Sequence, residues 1–484
     1  MQKRFFGREE ELNQLSVMLK KGTSSLVTCR GRRRIGKSTL IERFANISKM
    51  RFIVFEGVAP QPRSGNGDQL KAFGRQFAEQ FSVSVATPES WFDAFRLLGT
   101  ELAKIDEPMV VLLDEISWMG RYDDNFAGEL KYAWDRRFAK IDNLTLVVCG
   151  SVSSWINRNI LENTGFVGRV SLDLTLGELP LADCVKFWGS RGTRVSSREI
   201  LDVISVTGGV PKYLDEMIPS ESADENLARM CFHPNGYLFR DFEDIFSSVF
   251  GNAAKLKRKV LVLLADGARS ASEIARELGT ACNGQLLAML KELALGGFVG
   301  MDRSVNPTTG RRSREVRYRL KDNYSRFYLK YIYPRREEIE AGNYEFVSTE
   351  NLLGWESVLG LQFENLVLNN FRSLVPYLHL NGVQILSAGP FCRTSRDAAN
   401  GERGVQVDLL VETRKAWHVV EIKRKGEIGV EVEKDVDEKI KRLGFNDGRS
   451  VRTALVYDGH LSKGVSGDGY FDALVSFDAL LGRS

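Results

Sequence analysis

The chain has 484 residues and a mass of 54.4 kDa, which at roughly 150 residues per domain is room for about three domains. Apolar residues make up 43% and charged residues 27% of the sequence, a balance that excludes collagen-like, low-complexity and wholly disordered chains. The formal net charge of +4 is too small to indicate a nucleic-acid partner by itself.

Several classes of protein are excluded by patterns that the sequence lacks. No apolar run approaches the roughly 20 residues needed to span a bilayer, and the N-terminus has no signal-peptide pattern. The six cysteines form no CxxC pair and the four histidines are scattered, which argues against a disulfide framework, a zinc cluster and a histidine-based triad. We therefore expect a cytoplasmic protein with reduced thiols and no membrane partner.

The first 180 residues alternate short apolar runs with segments of helical period, which favours a parallel, buried sheet between helices. Strands are predicted at 25–29, 52–55, 109–113 and 144–149, and helices at 39–48 and 68–81. We assign residues 1–180 to an α/β core. Helical patterns dominate from 181 to 254, which predicts a helical subdomain attached to that core.

Residues 255–321 follow a different plan. Helices are predicted at 256–265, 273–278 and 283–295, followed by a hairpin with its tip at 306–310 and a return strand at 316–320. Three helices and a hairpin in this order predict a winged helix-turn-helix. Residues Asn283, Gln285 and Lys291 of the third helix are candidates for contacts with DNA. A protein-docking module is the alternative.

The predicted wing is the strongest electrostatic feature of the chain. Between Arg303 and Lys321 it carries only one acidic residue, Glu315, against seven basic residues at positions 303, 311, 312, 314, 317, 319 and 321. Such a block predicts contacts with a nucleic-acid backbone, although a solvated charged face has the same composition.

The rest of the chain returns to an α/β pattern. Residues 322–350 have mixed character and are predicted to form a linker. In residues 351–484, a helix is predicted at 360–371 and strands at 383–386, 406–411, 417–422 and 453–457.

Residues 31–38 match the pattern G-x-x-x-x-G-K-[ST], and they follow a predicted strand and open a predicted helix, as a phosphate-binding loop requires. The Lys37 ammonium is suited to neutralise β- and γ-phosphate oxygens, and the Ser38 hydroxyl to hold Mg²⁺. The residues expected to contact the nucleotide are Gly31, Arg32, Arg33, Arg34, Ile35, Gly36, Lys37, Ser38 and Thr39. ATP and Mg²⁺ are therefore the expected cofactors.

The second half of this site is predicted at the ends of two strands. Asp114 and Glu115 follow the apolar run 109–113, and ligands of open α/β sheets bind at that edge. Asp114 is expected to support Mg²⁺ mainly through water, and Glu115 to polarise the attacking water. Ser151 follows the run 144–149 and is a candidate contact to the γ-phosphate or the water; the alternative is a turn serine. Arg169 is either an arginine finger or a solvated or ion-paired arginine.

A family resemblance is carried by five segments in order. They are Phe5-Phe6-Gly7-Arg8-Glu9-Glu10-Glu11-Leu12, the loop from Gly31 to Ser38, Leu112-Leu113-Asp114-Glu115, Cys149-Gly150-Ser151 and Gly208-Gly209-Val210-Pro211-Lys212-Tyr213-Leu214. Together they resemble the archaeal and bacterial AAA+/STAND-like ATPases that carry a C-terminal nuclease-like domain, over essentially the whole chain. The resemblance implies that Phe5, Phe6, Gly7 and Arg8 lie near the adenine and that Pro211 reports the nucleotide state.

Asp408, followed thirteen residues on by Glu421-Ile422-Lys423, resembles the PD-(D/E)XK nuclease motif. The proline that usually precedes the aspartate is replaced here by Val407, which is not a ligand position. On a strand, residues two apart face the same side, so Glu421 and Lys423 share a face that a neighbouring strand can complete with Asp408. Asp408 and Glu421 are expected to bind Mg²⁺, and Lys423 to help activate water and stabilise charge on the phosphate.

Such nucleases often supply one more acid from a helix upstream, and Glu364 on the predicted helix 360–371 matches it. With Glu364 the four-residue set is complete. The alternative is an exposed strand face with alternating charges, which gives the same short pattern by chance.

The predicted fold class is thus a multidomain α/β protein: a P-loop NTPase core with a helical lid, a winged helix-turn-helix and a restriction-endonuclease-like domain. The leading hypothesis is an ATPase that couples nucleotide state to DNA binding and to Mg²⁺-dependent cleavage. The rival is a nucleotide-switched regulator or scaffold whose nuclease fold does not cut. A third reading, a signalling ATPase whose winged helix binds protein, leaves the nuclease-like acids unexplained. The oligomeric state stays open, with a homo-oligomer among the alternatives.

Overall fold

The computed structural model describes residues 4–61, 63–151, 153–250, 254–313, 315–393, 404–467 and 469–483. The α-helices are α1 (Glu9–Leu19), α2 (Lys37–Ile47), α3 (Asn66–Phe81), α4 (Trp91–Leu102), α5 (Ile116–Met119), α6 (Phe126–Arg136), α7 (Ser153–Ile156), α8 (Leu181–Cys184), α9 (Ser197–Thr207), α10 (Pro211–Asp215), α11 (Ala223–Cys231), α12 (Tyr237–Phe250), α13 (Ala254–Ala265), α14 (Ala271–Leu278), α15 (Gly284–Leu295), α16 (Asn323–Phe327), α17 (Arg336–Glu340), α18 (Trp355–Asn369), α19 (Phe371–Leu374), α20 (Glu431–Leu443), α21 (Lys463–Gly467) and α22 (Phe477–Leu480). The strands are β1 (Ser25–Arg30), β2 (Arg51–Glu56), β3 (Met109–Asp114), β4 (Leu144–Gly150), β5 (Val170–Thr175), β6 (Arg269–Ser270), β7 (Val299–Asp302), β8 (Arg317–Leu320), β9 (Ile385–Arg393), β10 (Val405–Thr413), β11 (Ala416–Ile428), β12 (Ser450–Leu461) and β13 (Ala473–Ser476).

The first sheet is parallel and has the strand order β2-β3-β4-β1-β5. Its central strands are apolar almost throughout because helices cover both faces. The four strands predicted in this region are confirmed. Strand β5 was not predicted, because it lies at the edge of the sheet and carries polar residues such as Ser171 and Asp173 among its apolar ones.

Helices α8–α12 form the helical region, residues 181–250, and α9 and α11 begin at serine caps. Ser196 accepts a hydrogen bond from the Glu199 N–H, and Ser222 forms a capping box with Glu225. Helix α10 begins at Pro211, a residue whose fixed φ suits the first helical position. The helical region packs on the same core cluster as one face of the first sheet.

Residues 254–320, called here the middle module, contain α13–α15 and an antiparallel sheet of order β6-β8-β7. The three predicted helices and the hairpin are confirmed as elements. Helix α14 starts at the capping box of Ser270 and Glu273 and ends at Gly279, which has a φ of 65°. Strand β6 is an addition that the sequence did not predict.

The segment 322–350 is not a linker, and this prediction was wrong. Asp322 caps α16, which continues through one π-helical turn at Tyr328–Ile332 and a 3-10 turn at Tyr333–Arg335. Tyr324, Phe327, Tyr328 and Tyr331 are buried, and the Phe327 ring meets the Trp355 ring edge-on with centroids 5.8 Å apart. A helix that is buried on nearly all sides has no polar stripe, so helical periodicity did not reveal it.

The C-terminal module, residues 355–483, is built on a mixed sheet of order β13-β12-β11-β10-β9. Strands β9, β10 and β11 pair antiparallel, and β11, β12 and β13 pair parallel. The strand predicted at 383–386 begins at Ile385 and runs to Arg393, and the helix predicted at 360–371 spans Trp355–Asn369. Helix α20, which was not predicted, packs its apolar stripe against β10 and β11.

Candidate functional site

The loop after β1 folds back on Lys37, the first residue of α2. The Lys37 Nζ donates to the carbonyl oxygens of Gly31 and Arg32, each at 3.1 Å, and the side chain is 7% exposed. Gly31 and Gly36 have φ values of 147° and 87°, a backbone region that favours glycine. The loop therefore folds over the Lys37 ammonium, which two backbone carbonyl oxygens hold in place.

The residues predicted for magnesium and water activation come together beside this loop. The Ser38 hydroxyl donates to Asp114 Oδ2, and Asp114 Oδ1 accepts from the Glu115 N–H at 2.9 Å. The Ser151 hydroxyl donates to Glu115 Oε2 at 2.9 Å. The start of α2 and the ends of β3 and β4 thus place a serine, two carboxylates and a second serine in one polar cluster.

Glu56 is an acid at this edge that the sequence analysis missed. It pairs in register with Asp114 across β2 and β3. Burial, together with the charges of Asp114 and Glu115, raises the pKa of Glu56. The signal was available, because Glu56 follows the apolar run 52–55 as Asp114 follows 109–113.

Arg32 and Arg34 use their side chains for contacts away from the loop. The buried Arg32 guanidinium pairs with Asp322 and donates to Tyr213 Oη at 3.2 Å. Arg34 Nε donates to Asp241 Oδ1 at 3.1 Å, and Tyr213 Oη donates to Asp241 Oδ2 at 2.8 Å. Both guanidinium groups are engaged within the protein in this arrangement, so the contacts to nucleotide predicted for Arg32 and Arg34 are left to their backbone N–H groups.

The charge environment of Arg32 matches these contacts. Burial disfavours the charged guanidinium, but the neighbouring Asp322, Tyr213 and Glu178 outweigh burial and raise the pKa of Arg32. The Arg33 guanidinium lies over the Trp118 ring, 5.2 Å from the centroid. Ile35 is 1% exposed and belongs to the core, and Thr39 lies in the first turn of α2.

The N-terminal segment braces the loop. Arg8 Nη2 donates to the carbonyl oxygens of Ile35 at 3.2 Å and Gly177 at 2.6 Å, and Gly7 lies against Asp183. Arg8 thereby ties the loop to the chain that follows β5. Its predicted place near the adenine stays a prediction.

The two phenylalanines before Gly7 pack on different partners. The Phe6 ring meets the Phe187 ring edge-on at 5.0 Å, and the Arg43 guanidinium lies 5.8 Å from the centre of the Phe5 ring. Phe6 therefore contacts the helical region and Phe5 contacts α2. Their predicted place near the adenine stays a prediction.

Pro211 and Arg169 have different surroundings. Pro211 starts α10 at the P-loop, with its Cγ 3.9 Å from the position that a Cβ on Gly36 would take. Arg169 donates to both carboxylate oxygens of Asp135, at 2.6 and 3.0 Å, and these bonds hold the pKa of Asp135 at about 2. Of the two interpretations of Arg169, the ion-paired arginine describes this structure.

In the C-terminal module, Asp408 and Glu421 lie next to each other on neighbouring strands. Leu409 pairs with Val420, which sets the two acids side by side, and Asp408 Oδ2 accepts from the Ile422 N–H at 2.8 Å. Burial, with the nearby charges of Glu421 and Glu364, raises the pKa of Asp408 to about 7.

Glu421 is held by two lysines. The Lys423 Nζ lies 2.8 Å from Glu421 Oε1, and the Lys439 Nζ lies 2.5 Å from Glu421 Oε2. The Glu421 side chain has no exposed surface. Lys439 was missed by the sequence analysis because it lies on the unpredicted helix α20, eighteen residues after Glu421. An amphipathic helix directly after the Glu-x-Lys strand was the available signal.

Glu364 lies on α18, at the interface with the middle module. Burial raises its pKa, and its nearest opposing charges are Arg319 of β8 and Arg326 of α16. Within the described parts of the chain, no three acidic, histidine or cysteine side chains gather closely enough to hold a metal ion. The set that fits Mg²⁺ is the pair Asp408 and Glu421, because this ion is often held by one or two carboxylates with water and substrate phosphates.

The surroundings of Glu421 and Asp408 suit a metal ion. Glu421 Oε1 is buried and has no hydrogen-bond partner among the described residues, although Lys423 lies at ion-pair distance. Asp408 opens onto a groove of about 470 Å³ whose wall includes Lys439 and Arg442. Glu421 Oε1 can therefore accept a further ligand. The Lys439 and Arg442 side chains in the groove wall are suited to bind the phosphates of a nucleic acid beside such a cation site.

The hairpin of the middle module rests on the C-terminal module. Val305 is 6% exposed and belongs to the same core cluster as Val407 and Leu443. The Thr308 hydroxyl donates to the carbonyl oxygens of Leu443 and Gly444, at 3.3 and 3.4 Å. The predicted wing is thus a bridge between modules at its tip.

The described arginines of the hairpin divide into two groups. Arg317 and Arg319 bond to the protein, Arg317 to the Ala268 carbonyl oxygen and Arg319 to Asp302 and Asn365. The exposed ones are Arg303, Arg311 and Arg312, and Arg314 lies outside the described residues.

The third helix of the middle module, α15, keeps part of its polar face exposed. Asn283 is the exception to the prediction, because its side-chain oxygen caps α15 by accepting from the N–H groups of Gln285 and Leu286. Gln285 and Lys291 are exposed, and Lys291 lies 3.7 Å from Glu162 of the first module.

One comparison with known proteins concerns the N-terminal part of the chain. Residues 5–217 match the family model of an ATPase domain found predominantly in Archaea. This part of the chain is therefore similar to such ATPase domains, and its parallel sheet is like that of a P-loop NTPase core. No helix in the described residues is long and apolar enough to cross a membrane.

Other similarities extend further along the chain. The chain is 24% identical over 452 residues to the uncharacterized protein MJECL04 of Methanocaldococcus jannaschii, covering 92% of this chain and 93% of that protein. The Walker-type ATPase PABY2304 of Pyrococcus abyssi aligns over 68% of this chain and 97% of its own, with 20% identity and a TM-score of 0.48. The ORC2 protein of Aeropyrum pernix, in its ADPNP-ADP complexes, aligns over 69% and 94%, with 14% identity and a TM-score of 0.42.

Proposed function

We propose that this chain hydrolyses ATP and uses its nucleotide state to control DNA binding and Mg²⁺-dependent cleavage by the C-terminal module. The observation that carries the proposal is the chain of polar contacts Asp322–Arg32–Tyr213–Asp241–Arg34, which is buried except at Arg34. Two residues of the phosphate-binding loop thereby contact the helical region and Asp322, which lies two residues after β8. A loop that rearranges around a nucleotide must disturb these contacts.

ATP is proposed to bind between the loop and the helical region. The Lys37 ammonium then exchanges the carbonyl oxygens of Gly31 and Arg32 for phosphate oxygens. Ser38 and Asp114 are the residues that would hold Mg²⁺, which would supply charge neutralisation at the phosphates. Glu115 orients and polarises the attacking water, and the bond from Ser151 fixes the Glu115 carboxylate.

For the C-terminal module we propose a nuclease centre formed by Asp408, Glu421 and Lys423. Asp408 and Glu421 supply the oxygen ligands for Mg²⁺, which would activate water and neutralise phosphate charge there. Lys423 stabilises charge that develops on the attacked phosphate. Glu364 contributes to the field at Asp408 from α18.

The middle module is proposed to be a winged helix-turn-helix that contacts DNA. Its three helices followed by a hairpin, in that order, support this reading. Because the hairpin tip rests on the C-terminal module, the contacts to DNA phosphates come from Arg303, Arg311 and Arg312. Gln285 and Lys291 on α15 are the candidates for groove contacts.

A second candidate function is a nucleotide-switched regulator whose nuclease fold does not cut. The observation that favours it is the complete burial of Glu421 between two lysines. Incubation of the purified chain with plasmid, linear, single-stranded and branched DNA, with and without Mg²⁺ and ATP, decides between the two. Cleavage that needs Mg²⁺ and is lost in Asp408→Ala supports the nuclease. DNA binding without cleavage under every condition supports the regulator.

A further inference from the structure

The position of Lys439 relative to Glu421 has consequences for metal access. Lys439 comes from α20, which crosses the face of the sheet, whereas Lys423 lies two residues from Glu421 on the same strand. Lys439 and Asp408 both line the open groove, but the fully buried Glu421 does not. The ammonium group of Lys439 therefore stands between the Glu421 carboxylate and the solvent in the groove.

We infer that Lys439 is an internal counter-ion that occupies the divalent-cation position at Glu421 and must be displaced when a metal ion binds there. This inference rests on the proposed nuclease centre. A carboxylate with no exposed surface needs a cationic partner, and Lys439 supplies one at 2.5 Å from Oε2. A cation that enters from the groove beside Asp408 meets the Lys439 ammonium at Glu421 Oε2, so the two positive charges compete for the same oxygen.

The competition has a defined direction. Removing the Lys439 charge frees Glu421 Oε2 for the metal ion and takes away a repulsive charge from the site. Linked binding events typically alter affinity by about 5- to 150-fold, and we expect Lys439→Met to bind Mn²⁺ roughly tenfold more tightly than the wild type. The same variant loses a stabilising contact when no metal is present, so it should melt at a lower temperature than the wild type in chelator.

Calorimetric titration of the full chain with Mn²⁺, without nucleotide, measures the affinity directly. The loop site contributes little under these conditions, because Mg²⁺-type ions there are held largely through nucleotide phosphates. Lys434→Met and Lys441→Met are matched controls, since both lysines are exposed on the same helix. Both controls should bind Mn²⁺ as the wild type does, and Glu421→Gln should lose binding.

Thermal melting provides a second readout. Mn²⁺ should raise the melting temperature of Lys439→Met by more than it raises that of the wild type. If Glu421→Gln loses Mn²⁺ while Lys439→Met binds it no more tightly than the wild type, the counter-ion role is overturned and the proposed metal centre stands. If neither the wild type nor Lys439→Met binds Mn²⁺, both the counter-ion role and the metal centre are overturned.

Discussion

Arg32, in the phosphate-binding loop, and Asp322, the residue that caps α16, form a buried ion pair although 290 positions separate them in the sequence. Asp322 Oδ2 also accepts from the Ser325 N–H at 3.1 Å. One carboxylate therefore pairs with Arg32 of the loop and caps the N-terminus of α16. The loop at residues 31–38 is thus in direct polar contact with the segment that joins the middle and C-terminal modules.

The first prediction concerns this pair. Asp322→Asn leaves the buried Arg32 charge without its ion-pair partner, and breaking a buried pair in this way costs about 3–5 kcal/mol of folding stability. Chemical denaturation measures the loss. Glu107→Gln is the matched control, because its pair with Arg51 is exposed and should contribute less than about 1 kcal/mol. Equal, small effects in both variants would contradict a structural role for the Arg32–Asp322 contact.

A second prediction separates ATP binding from hydrolysis. Lys37→Ala should abolish ATP binding, because it removes the counter-charge of the phosphates. Glu115→Gln should bind ATP with normal affinity and fail to hydrolyse it, since an amide cannot act as a base. Nucleotide titration and phosphate release measure the two properties, again with Glu107→Gln as a control. Hydrolysis at the wild-type rate in Glu115→Gln would disprove the role assigned to this residue.

The third prediction concerns pH and the helical region. Burial raises the pKa of Asp202 on α9 to about 6, although Arg198 opposes the shift; Asp224 and Glu350 are the other charges nearby. Its folded-state pKa lies above the ordinary value of 3.8, so the folded protein holds the proton more tightly than the unfolded chain. Stability should therefore fall as the pH rises from about 4 to about 6.

Asp202→Asn removes this titration. The wild type should lose about 3 kcal/mol of unfolding free energy relative to the variant as the pH rises across that range, at 1.36 kcal/mol per pKa unit. Denaturant titrations at several pH values test it. A difference that is independent of pH would show that Asp202 does not titrate with a raised pKa.

The fourth prediction concerns the exposed basic residues of the hairpin. Neutralising Arg311 and Arg312 should weaken binding about equally for all DNA sequences and lower the salt dependence by about one unit of log-log slope per lost phosphate contact. Lys104→Ala, on the surface of the ATPase domain, is the control. Unchanged affinity and slope would show that this face of the hairpin does not meet DNA.

The fifth prediction concerns the proposed nuclease centre. Asp408→Ala should lose metal-dependent cleavage and keep ATP hydrolysis, because the two sites lie in different modules. Lys423→Ala should keep metal binding and lose cleavage, since its role is on the transition state. Chelation should stop the reaction. A wild-type chain that cuts neither DNA nor RNA with Mg²⁺ or Mn²⁺, with or without ATP, leaves only the regulator.

The sequence predicted helices and strands correctly where a single pattern, such as an apolar run or a motif spacing, determined the local structure. Apolar runs such as 109–113 predicted central strands, because full burial allows few residue types. Rules of spacing also located the loop around Lys37 and the pair of strands that carries Asp408 and Glu421. Edge strand β5 and helix α16 escaped, because the first is half polar and the second is buried on nearly every side.

Contacts between residues far apart in the chain could not be predicted from the sequence. Nothing local to Arg32 distinguishes a guanidinium that binds phosphate from one that binds Asp322, because the choice depends on packing of a segment 290 residues away. Lys439 escaped for the same reason: a lysine on the polar face of a helix becomes a partner of Glu421 only when α20 docks on the sheet.

The buried aromatic segment at 323–332 also has a consequence for relatives of this chain that lack the C-terminal module. Tyr328 stacks on Phe242 of the helical region at 4.2 Å, and Phe327 contacts Trp355 at the start of the C-terminal module. A gene fragment that began at residue 351 would encode a protein with the Trp355 side uncovered. We therefore expect relatives that lack the C-terminal module to carry polar residues where this chain has Phe327 and Tyr331, because both side chains pack against Trp355 and would otherwise be left exposed.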